Sequence, residues 1–146
     1  MEQQQGRDDG WLVEEERVYS IVGGFFDSFQ GLGFGFMEPL CAEALARELI
    51  ARGHRVQREV SVQVLYKGKP LGWQRLDFIV DDVIVIEIKA TAHLHPNASR
   101  QLFNYLRATG LQVGLLLHYG EKPRFYRVYC KPEGERGSRN PEREKQ

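Results

Sequence analysis

The sequence predicts an α/β domain in which a mixed central β-sheet is flanked by helices, in the order α-α-β-β-β-α-β-β. Two patterns and one set of breaks point there. Apolar residues recur at helical spacing between Val13 and Arg52 and again after Pro96, whereas Val56 to Lys89 first alternates with period two and then runs apolar in β-branched residues. Glycine and proline mark the joins, at Gly31-Leu-Gly-Phe-Gly35, Gly53, Lys67-Gly-Lys-Pro70 and Gly110. With 146 residues, 42% apolar and 27% charged, the chain is one domain with a core of ordinary size.

The elements follow in order. Val18, Ile21, Val22, Phe25, Phe26 and Phe29 share a helical face, predicting an amphipathic helix from Val13 to Gln30 that Gly23-Gly24 weakens. After the glycine-rich turn, Glu38-Pro39 opens a second helix running to Arg52, with proline near its first position and Gly53 as its cap. Val60, Val62 and Val64 place a strand over Val56 to Tyr66; Lys67 to Pro70 is its turn, and Leu71 to Val80 the returning strand. Val83 to Lys89 is a third strand, Pro96 to Thr109 a helix closed by Gly110, Gln112 to His118 a fourth strand and Arg124 to Cys130 a fifth. Residues 1–12 form a polar tail, and Lys131 to Gln146, which lacks apolar residues, is expected to be disordered.

The most informative stretch is Asp77 to Lys89, DFIVDDVIVIEIK. Charge inside an apolar run is costly unless it is used. Glu87 and Lys89 are two apart and share a face of the strand. If Asp77 joins them, two carboxylates and a lysine converge at the end of a sheet. Hard oxygen ligands of this kind suit magnesium or manganese, and a lysine beside them can orient a water or stabilise charge on a phosphate. This sets a geometric demand. A two-residue turn at Asp81-Asp82 puts Glu87 on the wrong face, whereas a three-residue loop from Asp81 to Val83 sets Asp77 opposite Glu87. An odd loop or a bulge is therefore expected.

Asp77, nine intervening residues and then Glu87-Ile88-Lys89 resemble the PD-(D/E)XK nuclease superfamily, with Leu76 where a proline is usual. A more specific resemblance begins upstream. Gly31-Leu-Gly-Phe-Gly-Phe-Met-Glu38, Ala44-Leu45, Glu48-Leu49, Tyr66-Lys67-Gly68, Gln101-Leu-Phe-Asn-Tyr-Leu106 and Gly110 to Leu116 resemble, in order and spacing, the bacterial GxxExxxR protein family. Members of that family are assigned to the same superfamily. The likeness spans residues 18 to 130. Gly35 and Glu38 match the name motif, but Ala42 holds the position of its arginine and Cys41 stands where an aromatic residue is common. The resemblance implies a restriction-endonuclease-like core, Mg2+ or Mn2+ as cofactor, and Asp77, Glu87 and Glu38 as metal ligands. It implies Lys89 as the catalytic lysine and Gln101 as a polar contact to the phosphate or to a water. The bland readings are that Glu38 complements a helix dipole, that Gln101 is a surface residue, and that Tyr105, one turn on, packs against the sheet.

Net charge is zero, so the molecule is no polycation, but the charges are unevenly spread. Between His95 and Cys130 the single acid is Glu121, against Arg100, Arg107, Lys122, Arg124 and Arg127. A basic surface beside the site would suit phosphate contacts, and solvated arginines are the plain alternative. Cys41 and Cys130 lack metal-ligand spacing and read as buried free thiols in a reducing compartment. No apolar stretch reaches transmembrane length and no signal peptide opens the chain, so the cytoplasm, without membrane contact, is expected. His93-Leu-His95 reads as loop histidines rather than a zinc site, and Trp11 and Trp73 as partly buried anchors rather than base-stacking residues. Gly31-x-Gly-x-Gly lacks the lysine of a phosphate loop.

Three functions are in view. The first is metal-dependent hydrolysis of nucleic acid, DNA the expected substrate, with a second copy of the chain or a partner needed to cut both strands. The second is a nuclease-fold module, catalytically weak or inactive, that binds nucleic acid or a protein. The third is an unrelated α/β protein in which the E-x-K strand arises by chance.

Overall fold

Ile84, Ile86 and Ile88 pack into one core and Val85 into another, all four fully buried, so the strand that carries them is covered on both faces. That is the position of a central strand, and it explains the continuous apolar run. A computed structural model describes residues 14–132. The expected polar tails lie outside the described residues, apart from Lys131 and Pro132, as does Trp11. The described elements are α1 (Glu15–Leu32), α2 (Glu38–Ala51), β1 (Val56–Tyr66), β2 (Lys69–Val80), β3 (Ile84–Lys89), α3 (Ala98–Thr109), β4 (Val113–Tyr119) and β5 (Pro123–Tyr129).

The strands lie side by side in chain order. Neighbours are antiparallel except β3 and β4, which α3 links in parallel as a β-α-β crossover. The helices α1 and α2 cover one face, where Ile21, Phe25, Leu45 and Leu49 meet Ile86, Leu115 and Leu117. On the opposite face α3 brings Leu102 and Leu106 to Val85 and Leu116.

The expected element order is found, with three corrections. Gly23-Gly24 does not interrupt α1 and lets it close on α2, because a Cβ on Gly24 would lie 3.0 Å from Leu49 Cδ2. The β1–β2 turn is only Lys67 and Gly68, both with positive φ; Lys69 and Pro70 already pair with Tyr66 and Leu65. Pro96 precedes α3 rather than opening it, since the His95 ring already makes a turn there, its Nδ1 accepting from the Asn97 N–H at 3.0 Å.

The β1–β2 ribbon is bent. Val60, Val62 and Leu76 face the α3 core, yet Phe78 and Val80, of the same parity as Leu76, face the α1/α2 core. The alternation breaks between them, at Asp77 and its opposite number Glu59, whose φ is 52°. Only Phe78, Ile79 and Val80 of β2 pair with β3. From Asp77 outward the ribbon leaves the sheet as an arm.

Candidate active site

The point where β2 parts from β3 brings the two expected carboxylates together. Phe78, Ile79 and Val80 oppose Ile86, Val85 and Ile84, so a three-residue loop, Asp81 to Val83, joins the strands as the sequence demanded. The register carried one step further sets Asp77 opposite Glu87. The Asp77 N–H donates to Glu87 Oε1 at 3.3 Å, and the Ile88 N–H donates to Asp77 Oδ2 at 2.8 Å. Each carboxylate is thus anchored on the backbone of the other's strand.

A clasp holds the loop that sets this register. Asp81 and Asp82 both have left-handed φ, 53° and 60°, a region aspartate tolerates. The Asp81 carboxylate accepts from the Arg55 N–H at 2.8 Å, and the Asp81 N–H donates back to the Arg55 carbonyl at 2.8 Å. His54 Nδ1 lies 2.7 Å from Asp81 Oδ2, and Ser20 Oγ 2.7 Å from His54 Nε2. This has the order of a Ser-His-carboxylate relay. Ser20, however, sits inside α1, where the amides serve the helix ladder and none is free to stabilise an oxyanion. The cluster ties α1 and the α2–β1 junction to the β2–β3 loop.

Glu87 is only 6% exposed. Burial, and then the charge of Asp77, push its carboxyl up to about 8, opposed by the Asp77 amide and by Lys89. Burial also raises Asp77, against the Ile88 amide, Lys89 and Arg75. Glu38, the first residue of α2, is raised by burial and by Asp77 and lowered by Lys89. Glu38, Asp77, Glu87 and Lys89 therefore act on one another electrostatically. Among the described residues, no three His, Cys, Asp or Glu side chains form a ready-made metal cluster. The closely linked pair is Asp77 and Glu87, with Glu38 approaching from the helix.

The exposed Gln101 lies near Tyr105, whose hydroxyl is raised by burial and then by Glu87 and Asp77. Tyr105 is 7% exposed and belongs to the α3 core, as its packing reading expected, while also bordering the carboxylates. Cys41 and Cys130 are free and buried, as expected. Ala42, at the arginine position of the name motif, packs against the α1/α2 core.

Two side chains escaped sequence reasoning. His118 pairs with Lys89 in the parallel register, is 6% exposed, and sets its Nε2 2.6 Å from the Thr91 carbonyl while its buried Nδ1 has no hydrogen-bond partner. It helps line a cleft of about 400 Å³ with His93, Lys122, Arg124, Tyr126 and one acid, Glu121. A basic border to the site is therefore present at this end of the sheet. Trp73, read as a partly buried anchor, is instead 70% exposed.

A solved structure shares the fold. The crystal structure of SSO0001 superposes with a TM-score of 0.51 at 22% identity, over 62% of this chain and 49% of that one. An alkaline exonuclease (LHK-Exo) from Laribacter hongkongensis is more distant, with a TM-score of 0.45 at 18% identity over 59% of this chain and 52% of that one. The chain thus spans about half the length of each of these structures. No curated protein matches it. No helix among the described residues is long and apolar enough to cross a membrane. A family model described as the PD-(D/E)XK nuclease superfamily matches residues 15–128. With that match over most of its length, the chain belongs to the PD-(D/E)XK nuclease superfamily.

Proposed function

We propose that this chain is a metal-dependent nuclease that hydrolyses phosphodiester bonds of nucleic acid, with DNA as its substrate. The observation that carries the reading is Glu87: a carboxylate 6% exposed, beside a second carboxylate, with no cation hydrogen-bonded to it among the described residues. A buried acid left in this state is costly to a fold that does not use it. A divalent ion would relieve that cost, and the all-oxygen donor set suits Mg2+ or Mn2+.

Asp77 and Glu87 would hold the ion, with Glu38 contributing from the start of α2. When bound, such an ion supplies Lewis acidity at the phosphate and a more acidic water. The rest falls to the chain. Lys89, on the same face of β3 as Glu87, orients the attacking water and offsets negative charge as it builds on the phosphate. Gln101, one helical turn before Tyr105, presents its amide toward the scissile phosphate. The cleft at Lys122 and Arg124 offers positive charge to neighbouring phosphates. The likeness to GxxExxxR proteins supports the same reading. Cutting both strands of a duplex would take a second copy of the chain or a partner.

The test is cleavage of labelled single- and double-stranded DNA and RNA with magnesium or manganese, comparing wild type with Lys89→Ala. Cutting that requires metal and falls by about a hundredfold or more in the variant supports the proposal. Equal cutting by both proteins would refute the role of Lys89. No cutting on any substrate, with binding intact, would favour a catalytically inactive module that binds nucleic acid or a protein partner.

A further inference from the structure

Among the described residues, the arm of β1 and β2 beyond Asp77 has no partner strand other than itself. Residues 60–76 carry Lys67, Lys69 and Arg75 and no acid. They also expose large apolar side chains: Trp73 and Leu71 at 70%, Tyr66 at 61% and Leu65 at 58%. The register puts these groups on particular faces. Val60, Val62 and Leu76 turn toward α3, so the pairs Gln63–Trp73 and Ser61–Arg75 turn away from it. Trp73 and Arg75 thus share one face of β2, and Arg75 stands two residues before Asp77, where the alternation breaks. Arg75 is close enough to Asp77 to favour its charged form. Leaving the candidate site along β2, the arm thus presents first a guanidinium near Asp77 and then, about 13 Å away along the strand, an exposed indole on the same face as that guanidinium.

We propose that this face of the arm binds a single-stranded stretch of nucleic acid extending from the cut site. Trp73 would stack on an unpaired base, Arg75 would meet the adjoining phosphate, and Lys67 and Lys69 would hold the strand at the tip. The proposal rests on the nuclease reading above and names the form of substrate it takes. Stacking on an aromatic platform beside cations is how proteins hold single strands without base-pair readout. A second copy of this chain is the poorer occupant, since pairing two such faces would bring like charges together. The exposed Trp73 also makes its replacement harmless to folding.

The experiment measures binding of a labelled single-stranded oligonucleotide without divalent metal, by fluorescence anisotropy at fixed salt, with circular dichroism as a folding control. Trp73→Ala should weaken binding by about ten- to a hundredfold. Trp73→Phe should recover most of that, and Lys67→Ala with Lys69→Ala should weaken binding and flatten its salt dependence. A fully paired duplex should lose much less on Trp73→Ala. If wild type binds nucleic acid and Trp73→Ala binds equally well, the arm proposal is overturned while the nuclease reading stands. If wild type binds no nucleic acid, both fall. A concentration-dependent dimer that Trp73→Ala dissolves, with oligonucleotide binding unchanged, would make the arm an interface between copies instead.

Discussion

The two faces of the sheet treat buried polar groups in opposite ways. On the α1/α2 face, Tyr119 and Ser28 are both buried, their oxygens are 2.6 Å apart, and the Ser28 hydroxyl donates to the Phe25 carbonyl at 2.7 Å. The Tyr119 ring meets Phe25 edge-on at 4.9 Å. Both hydroxyls of that pair are satisfied within the chain. On the α3 face, Glu87 is equally buried but lies against another carboxylate, and His118 keeps a ring nitrogen without a partner. A satisfied polar pair specifies packing, whereas a buried carboxylate set against another at the parting of β2 and β3 is the kind of perturbed group that clusters at functional sites.

Replacing Glu87 should break that contrast most sharply. With its folded-state carboxyl near 8 rather than the ordinary 4.5, Glu87 holds a proton in the folded chain that the unfolded chain has lost. Its contribution to metal-free stability is therefore full below about pH 4.5 and is lost as pH rises toward 8. Glu87→Gln should abolish metal-dependent cutting, by about a thousandfold or more. It should also raise the metal-free melting temperature at pH 8 while changing little at pH 5. In wild type, added Mg2+ or Mn2+ should raise melting at pH 8 far more than at pH 5, because the ligands must be deprotonated to bind. Thermal melts at the two pH values, with and without metal, read all of this. A Glu87→Gln protein that melts lower at pH 8 would show Glu87 to be structural.

Much of the α3 face was legible because its signals are local. The apolar run of β3 locates the central strand, and the count of residues between Asp77 and Glu87 fixes the loop that puts both on one side. What could not be read depends on distant pairing. The register of Lys89 against His118 is set by the α3 crossover, so His118 looks like any lone histidine in an apolar strand. Trp73 alternates as a half-buried strand residue would, and nothing in that pattern says that the ribbon leaves the sheet at Asp77. Gly23-Gly24 looked like helix weakness because its reason, the close approach of Leu49, belongs to another helix. Ser20, His54 and Asp81 come from three separate elements and meet only in the folded chain.

That last cluster ties α1 and the α2–β1 junction to the loop that sets the site's register, and a smaller effect should follow from loosening it. Burial works against the Asp81 charge, but the His54 ring, the Arg55 amide and the charge of Arg17 hold its carboxyl below the ordinary carboxylate range. The sign is opposite to that of Glu87. The stability Asp81 contributes is present above the ordinary aspartate pKa and is lost as pH falls through its lowered folded value. Asp81→Asn keeps the left-handed backbone but removes the charge. It should cost about 1.5–3 kcal/mol in urea unfolding at neutral pH and make acid unfolding below pH ~4 less steep. Because the loop sets the pairing of Asp77 with Glu87, metal-dependent cutting should fall as well, by less than in Glu87→Gln. Unchanged cutting with lost stability would separate the clasp from the site.

The smallest effect belongs to the satisfied face. Tyr119→Phe removes the hydroxyl that Ser28 partners and leaves the ring against Phe25. Its cost is set by one buried oxygen left with fewer bonds, about 1 kcal/mol, and it needs no rearrangement of the core. Denaturant midpoints should shift by that amount at pH 5 and pH 8 alike, because the tyrosine hydroxyl, pushed up by burial, stays neutral across that span. Metal binding and cutting should be unchanged. A Tyr119→Phe protein that lost metal binding would mean that the two faces are coupled through β4, whose alternate residues line both, and that the division of labour between packing and chemistry is not as clean as the distribution of buried polar groups implies.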